Sequence, residues 1–480
     1  MNWHDKKILV LGAGDTGLSV VRWGQRVGAR LRLADSRDIN VAAIAPSVEY
    51  LQRNFPDVDC YFGPWSTARF DELARDAELI IASPGVAVAG PACDPAIARA
   101  VAQGKKIIGD VELFALHQNS LNDQNGKKPK VIGITGSNGK STVTAMAGAM
   151  CAAAGLRTVV AGNIGLPVLD ALASADTMGE PDVYVLELSS FQLETTSSLH
   201  LDAATMLNLS QDHLDRYRSM DDYAKAKQRI FAHAAHQVLN REDSVSMKMR
   251  MPNRAVSTFG TDAAPTADDY GFMDDALTVG GDILLPLDAM PIAGLHNATN
   301  ALAAFALCRA MGADTAKLVD GLKAFKGLPH RLEKVGVING VTFYDDSKGT
   351  NVGSTVAALN GMAVPVILIA GGEGKVQDFS PLAEPIRKRA KAVVLIGKDA
   401  RSIESAITSA RVMSIHASSM ADAVAAAYQQ AAPGDAVLLS PACASFDMFK
   451  NYKHRGEVFA QCVHALNAKV TSGMEGGNVV

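Results

Sequence analysis

The stretch that most limits how this chain can fold runs from Val131 to Ala154. Val131-Ile132-Gly133-Ile134 is a short apolar run that reads as a buried strand. Thr135-Gly136-Ser137-Asn138-Gly139-Lys140-Ser141-Thr142 follows, and Val143–Ala154 reads as an Ala-rich helix. A strand that turns through glycines into a helix start belongs to a sheet whose carboxyl edge faces a ligand. Successive backbone N–H groups of such a turn curl around phosphate oxygens, and the helix N-terminus favours negative charge. A lysine at position 140 reaches outer phosphates, and a hydroxyl at position 141 suits magnesium. Gly136, Ser137, Asn138, Gly139, Lys140, Ser141 and Thr142 are therefore candidate nucleotide contacts. The strict spacing asks for glycine at 134, where this chain has Ile134, but strand, turn, Gly-Lys-Ser and helix keep the required order.

With 480 residues the chain has room for two to four domains, and three is the central expectation. In the first hundred residues, Lys7–Leu11, Arg30–Ala34 and Leu79–Ala82 read as strands and Leu18–Val27 as a helix. Such alternation favours a parallel sheet with helices on its faces. Gly12-Ala13-Gly14-Asp15-Thr16-Gly17 sits between the first strand and the helix, and Asp35 ends the next strand. That matches a dinucleotide fingerprint. The same residues suit NAD, another diphosphate ligand or a bare tight turn, and the absence of hydride chemistry downstream favours another diphosphate.

Gln118–Lys130 is polar and reads as a linker. In the second unit, Val183–Leu188 and Ala203–Leu209 read as strands, residues 241–290 as short hairpins and loops, and Asn297–Met311 as a helix. Beyond Pro329, strands are expected at Val341–Tyr344, Val364–Ala370, Ala392–Ile396 and Ala436–Leu439, and Thr471–Val480 reads as a frayed tail. The fold expected is α/β in three domains: a Rossmann-like unit over 1–118, a central P-loop unit over 119–328 and a second Rossmann-like unit over 329–480.

Composition removes several classes. Hydrophobic residues make up 48%, which excludes wholesale disorder. A net charge of −4 argues against a general nucleic-acid coat while leaving room for local phosphate pockets. The least polar long stretch is Ala/Gly-rich and stops at Arg157, short of a membrane span, and the N-terminus lacks the apolar core of a signal peptide. Six scattered cysteines without a Cys-x-x-Cys pair speak against a disulfide or zinc framework and fit the cytoplasm. A monomer without nucleic-acid partners or membrane insertion is expected.

Further candidates lie after strands or at boundaries. Glu187 ends an apolar strand, where an acid beside a phosphate loop can hold magnesium; alone it reads as a surface glutamate. His213, in Asp212-His213-Leu214-Asp215-Arg216-Tyr217, is a candidate metal ligand or substrate contact. On a helical wheel Lys227 shares a face with Tyr223, Ile230 and Ala234, while Lys225 points away. An inward lysine needs a partner to offset its desolvation; a snorkelling lysine is the plain alternative. The loops around Asn297, Arg331, Asp346, Lys348, Thr350, Lys375, Ser445 and Tyr452 are individually unremarkable, and their number argues for a composite site.

Together these segments resemble the ATP-dependent Mur ligases of bacterial peptidoglycan synthesis, from about Lys7 to Glu457. GSNGKST, ELSSFQLE, DHLDRY and HNATNALAA carry the superfamily likeness, which extends to folylpolyglutamate synthetase. GAGDTGLS with Asp35-Ser36-Arg37, SPGV, GLPHRLE, DDSKGTNVGST and SPACASFDMFKNYKHRG are similar to the D-glutamate-adding branch. Tyr452 departs from that branch, where Phe is expected. The resemblance implies ligation of D-glutamate to UDP-N-acetylmuramoyl-L-alanine through an acyl phosphate, with ATP and two magnesium ions. It implies that Thr16, Arg37 and Ser83 hold the UDP part, and that Asn163 and His213 approach the muramoyl-alanine end. Asn297, Arg331 and Asp346 would contact the adenine nucleotide. Ser141, Glu187, His213 and a carbamylated Lys227 would serve the metal ions, and the third domain would close over the site and bring the amino acid. Lys348, Thr350, Lys375, Ser445 and Tyr452 offer two lysines and hydroxyls suited to the two carboxylates of D-glutamate. Another amide ligase of the superfamily, or a P-loop NTPase without ligation, are the alternatives.

Overall fold

The computed structural model describes residues 2–121, 128–292, 294–374 and 377–475. Three sheets organise it. The first contains Lys7–Leu11, Arg30–Asp35, Asp59–Phe62, Leu79–Ala82 and Ile107–Ile108 in spatial order third, second, first, fourth, fifth, all parallel. The order reverses at the first strand, which opens a crevice between the ends of Lys7–Leu11 and Leu79–Ala82. Helix Asp15–Arg26 starts at that crevice and buries Leu18, Val20, Val21 and Trp23 against the sheet. Gly17 permits this packing: a Cβ there would lie 1.8 Å from the Gly12 carbonyl oxygen.

The second sheet has nine strands. Its parallel part runs, in spatial order, Thr158–Gly162, Val183–Glu187, Lys130–Thr135, Leu201–Met206, Ala234–Asn240, Ala255–Phe259. Lys130–Thr135 is central and apolar on both faces, as a strand covered by helices on each side must be. Residues 241–290 are more than separate hairpins and loops. Ala255–Phe259 joins the parallel sheet, and Tyr270–Met273, Ala276–Val279 and Asp282–Pro286 extend it. Short segments such as Ala276–Val279, buried throughout, carry too few apolar residues to announce themselves one at a time. The strand expected at Ala203–Leu209 is shifted to Leu201–Met206, because Asn208 leaves the ladder to bind the glycine loop.

The third sheet is ordered Glu333–Ile338, Val341–Asp345, Ala436–Leu439, Val366–Gly371, Ala390–Ile396, Met413–His416. The first two form an antiparallel hairpin through Asn339-Gly340, both at positive φ, and the other pairings are parallel. The tail reading is corrected over 471–475: helix Tyr452–Glu475 continues through it, with Phe459 and Val463 in the core, and 476–480 lie outside the described residues. The linker reading covers less than expected, since Gln118–Ser120 close the helix Asp110–Ser120 and Lys130 opens a strand; 122–127 lie outside the described residues.

The chain packs as two compact units: residues up to 209 with 213–284 and 301–322, and residues 210–212, 285–300 and 323 onward. The first two sheets share the former unit and the third sheet lies in the latter. Among the described residues no helix is long and apolar enough to cross a membrane.

Candidate functional site

In the first unit the crevice of the five-stranded sheet is lined by Gly12–Gly14 and Ser83. The Ser83 hydroxyl donates to the Gly12 carbonyl at 3.4 Å, and its N–H continues the strand to Leu11. Thr16 is half-buried in the first turn of helix Asp15–Arg26. Asp35, the acid that a dinucleotide fingerprint aims at a ribose, is occupied within the fold. Its Oδ2 accepts from Ala13 N at 2.7 Å and Arg37 Nη2 at 2.6 Å, and its Oδ1 from Arg37 Nε at 2.9 Å. Burial works to raise its carboxyl, but the Arg37 guanidinium and the backbone donors hold it below its ordinary value.

At the carboxyl edge of the nine-stranded sheet, Gly136 and Gly139 take positive φ, and helix Lys140–Ala153 starts immediately after. Asn208 clamps the loop: Asn138 N donates to its Oδ1 at 2.9 Å, its Nδ2 donates to Asn138 O at 3.1 Å, and Ser137 N donates to its carbonyl at 2.9 Å. Lys140 Nζ donates to the carbonyls of Gly136 and Ser137, both at 2.9 Å. Ser141 and Thr142 are buried at the helix start.

Glu187 reaches the same edge, since Ile134 pairs with it across the ladder. It is 1% exposed. Its Oε1 accepts from Asn163 Nδ2 at 2.7 Å, while its Oε2 is buried without a hydrogen-bond partner among the described residues. A buried carboxylate oxygen left over in this way fits a cation. Asn163 is further fixed by its N–H to the Glu187 carbonyl at 2.8 Å.

Lys227 is inward, as the helical wheel required. It is 1% exposed, its Nζ donates to Gly136 O at 2.8 Å, and it lies 4.6 Å from the centre of the Tyr223 ring. The Tyr223 hydroxyl lies 3.3 Å from Ser137 Oγ, which ties helix Met220–Gln228 to the loop. His213 has φ 56° and packs edge-on to Phe191, with ring centres 4.8 Å apart.

Sequence reading passed over Arg216 in the same motif. It is 7% exposed, donates to Pro84 O at 3.2 Å and Glu194 Oε2 at 3.1 Å, and lies over the Phe191 ring. It thereby joins the loop after Leu79–Ala82 to the central sheet. Its only sequence signal was an arginine inside a motif, one easily taken for surface.

In the second unit Asn297 is buried in the first turn of helix Leu295–Ala310. Arg331 sits between His330 and Leu332, both at positive φ. Asp346 Oδ2 accepts from Ser440 Oγ at 2.7 Å; burial pushes its carboxyl up to about 7, against that hydrogen bond and the Arg331 charge. Lys348 Nζ lies 4.0 Å from the centre of the Tyr452 ring. Thr350 follows in the same loop, half-buried, and Ser445 is 3% exposed. Ser445 offers its carbonyl to Met448 and Phe449 N–H groups rather than acting as a side-chain cap. Arg455, fully buried, holds the Ser347 and Cys443 loops together through Ser347 O, Ser347 Oγ and Cys443 O at 2.8–3.1 Å. Burial lowers its guanidinium to about 10. Lys375 lies outside the described residues.

The fold and these two constellations define a three-domain α/β protein with a glycine-rich loop at the carboxyl edge of its central sheet. The chain belongs to the Mur ligase family. The Mur ligase MurD-like N-terminal domain matches residues 6–109, the Mur ligase middle domain 134–308, and the Mur ligase glutamate ligase domain 330–443. It is 53% identical over 473 residues to a UDP-N-acetylmuramoylalanine–D-glutamate ligase of Thiobacillus denitrificans, covering 97% of each chain. It is 52% identical over 472 residues to a protein of the same name from Methylobacillus flagellatus, covering 98% of this chain and 99% of the relative. Among solved structures it is similar to UDP-N-acetylmuramate-alanine ligase MurC of Thermotoga maritima, with TM-score 0.59 and 18% identity over 96% of this chain and 100% of that one. A pseudomurein peptide ligase type C of Methanothermus fervidus matches with TM-score 0.58 and 16% identity over 96% and 100%. These last two likenesses concern the fold alone.

Proposed function

We propose that this protein is the ATP-dependent ligase that joins D-glutamate to UDP-N-acetylmuramoyl-L-alanine, releasing ADP and phosphate. The observation that carries this reading is the near-full-length identity, about half the residues, to relatives named for that activity. The site chemistry agrees with it. The free alanine carboxylate attacks the γ-phosphorus of ATP, the bond to the β-phosphate bridging oxygen breaks, and ADP leaves. The neutral amine of D-glutamate then adds to the acyl-phosphate carbonyl, inorganic phosphate leaves, and the amine proton goes to solvent or a site base.

Both partners of the first step are anions, so positioning and charge neutralisation carry the catalysis. Lys140 and the N–H groups of 136–142 would hold the phosphates, with Asn297, Arg331 and Asp346 on the adenine nucleotide. Thr16, Arg37 and Ser83 would hold the UDP end, and Asn163 and His213 the muramoyl-alanine end. Ser141, Glu187 and His213, with Lys227 as a carbamate, would hold magnesium, which when bound spreads the charge of the triphosphate and the attacking carboxylate. The orphaned Glu187 Oε2 supports that assignment. Lys348, Thr350, Lys375, Ser445 and Tyr452 would receive D-glutamate. We place the domain divisions at 118/119, within the last turn of helix Asp110–Ser120, and at 328/329, between helix Thr315–Lys323 and strand Glu333–Ile338. The same reading has the protein acting as a cytoplasmic monomer.

The test is mass detection of product from a panel of nucleotide sugars and amino acids with ATP. A product heavier by one glutamyl residue is expected only from UDP-N-acetylmuramoyl-L-alanine and D-glutamate. Product from a different pair, or ATP consumption without any amide product, overturns the assignment.

A further inference from the structure

Strands Lys130–Thr135 and Leu201–Met206 run side by side until Thr135 meets Met206, and Leu207 N donates to Thr135 O at 3.0 Å just beyond that pair. Gly136, at φ 154°, then turns the chain into the glycine loop and the backbone ladder ends. The Asn208 side chain takes over from it. A primary amide carries an acceptor beside a donor, the same pair that a neighbouring strand offers. Asn208 Oδ1 accepts from Asn138 N at 2.9 Å and its Nδ2 donates to Asn138 O at 3.1 Å, so one side chain engages both backbone groups of one residue. The Asn208 carbonyl accepts from Ser137 N at 2.9 Å. Two consecutive loop residues are thereby joined to a single residue at the neighbouring strand end.

Asn208 is itself held from behind. Leu207 O accepts from Asn240 Nδ2 at 2.7 Å, and Leu209 N donates to Asp243 Oδ2 at 2.8 Å. Asn240 is buried at the end of strand Ala234–Asn240, and Asp243 caps helix Ser244–Lys248 by accepting from Ser246 N at 2.8 Å. Both chain neighbours of Asn208 are thus tied to elements outside the glycine loop, and the amide is a fixed support for that loop. Lys140 opens helix Lys140–Ala153 two residues after Asn138, so the path of residues 137–138 sets where Lys140 and Ser141 present their side chains. Phosphoryl transfer depends on such positioning, and a displacement of about 1 Å costs on the order of 10² in rate.

We propose that Asn208 is a positioning residue for ATP: acting through the backbone of Ser137 and Asn138, it holds the glycine loop in its nucleotide-binding path before the nucleotide arrives. The inference rests on the reading of this chain as an ATP-dependent ligase and adds a residue outside the contacts proposed for that reaction. The reciprocal pairing requires an amide. A carboxylate of the same shape keeps the acceptor, loses the donor to Asn138 O and adds a negative charge beside the phosphates; a methyl group keeps neither partner.

The experiment titrates magnesium-ATP and, separately, UDP-N-acetylmuramoyl-L-alanine into the full chain by calorimetry, without D-glutamate, for the unaltered protein, Asn208→Ala and the isosteric Asn208→Asp. Backbone hydrogen exchange of the segment 136–142 is followed by mass spectrometry on the same ligand-free proteins. Both variants are expected to raise the dissociation constant of ATP about tenfold or more while changing that of the nucleotide sugar less than about twofold. The loop segment should exchange faster in both variants, with 143–153 unchanged. A role confined to overall stability would not separate the two ligands. ATP affinity in Asn208→Ala within about twofold of the original, equal losses for both ligands, or unchanged loop exchange in both variants would each overturn the proposal. Because ATP affinity is read without ligation, a protein that makes no glutamyl product yet loses ATP affinity in both variants would refute the ligase reading and uphold the role of Asn208.

Discussion

Lys140 and Lys227 donate to the same carbonyl oxygen, that of Gly136, at 2.9 and 2.8 Å. One ammonium comes from the start of the helix after the loop and the other from helix Met220–Gln228. Two cations converging on one loop carbonyl create a strong local demand for anions. For Lys140 the anion proposed is the outer phosphate of ATP. Lys140→Ala is therefore expected to lower the ligation rate by a factor on the order of 10² or more. Its circular dichroism and thermal midpoint should stay those of the unaltered protein. Product formation near the original rate would remove Lys140 from the mechanism.

For Lys227 a different outcome is expected. An ammonium buried beside the proposed magnesium site would be repelled, and carbamylation by carbon dioxide would convert it into an anion able to share the metal. The carbamate N–H can still donate to Gly136 O. Protein equilibrated with ¹³C-bicarbonate should give a carbamate resonance that is missing from Lys227→Ala. The variant should be inactive and partly restored by short carboxylates such as acetate or propionate. A missing resonance together with failed rescue would show that the amine acts unmodified.

Amino-acid choice should separate from nucleotide binding. Ser445→Ala and Lys375→Ala are expected to raise the KM for D-glutamate more than that for ATP. Each would remove a proposed donor to a carboxylate, worth about 1.5–3 kcal/mol where the bond is charge-assisted. L-Glutamate and D-aspartate should be poor substrates. Steady-state kinetics with both enantiomers checks this; equal use of both, or an unchanged D-glutamate KM in both variants, refutes the site.

Asp110 should leave a signature in stability rather than activity. Its Oδ1 is buried without a hydrogen-bond partner among the described residues, and burial pushes its carboxyl from 3.8 up to about 6, against hydrogen bonds from Val111, its own N–H and Gln192. A raised folded pKa means that the native state holds the proton more tightly. The associated stability is fully present below about pH 4 and is lost as pH rises through about 6. Relative to Asp110→Asn, the unaltered protein should lose on the order of 1–3 kcal/mol across that window. Urea midpoints measured from pH 4 to 7 check the difference, and parallel pH profiles for the two proteins would contradict it.

The glycine loop was legible because all its determinants are contiguous. Gly136, Gly139, Lys140 and Ser141 fix a backbone path and a helix start without distant help. Lys227 was legible for a related reason: helical periodicity alone puts it on the face of Tyr223 and Ile230, and both of those are buried. Periodicity could not say what that face meets, and the contact with Gly136 O appears only when helix Met220–Gln228 packs beside the loop. The same limit explains Asp35, whose spacing fits a ribose contact until Arg37 and Ala13 N are found to occupy both its oxygens. It explains residues 241–290, whose short strands gain a place in the sheet only from the neighbouring strand Ala234–Asn240. Sequence determined the local conformations and the chemical types, because turns, caps and helical faces depend on neighbours a few residues apart. Which oxygen each cation meets and which carboxylate oxygen is left over at Glu187 depend on side chains far apart in sequence, and only tertiary packing decided them.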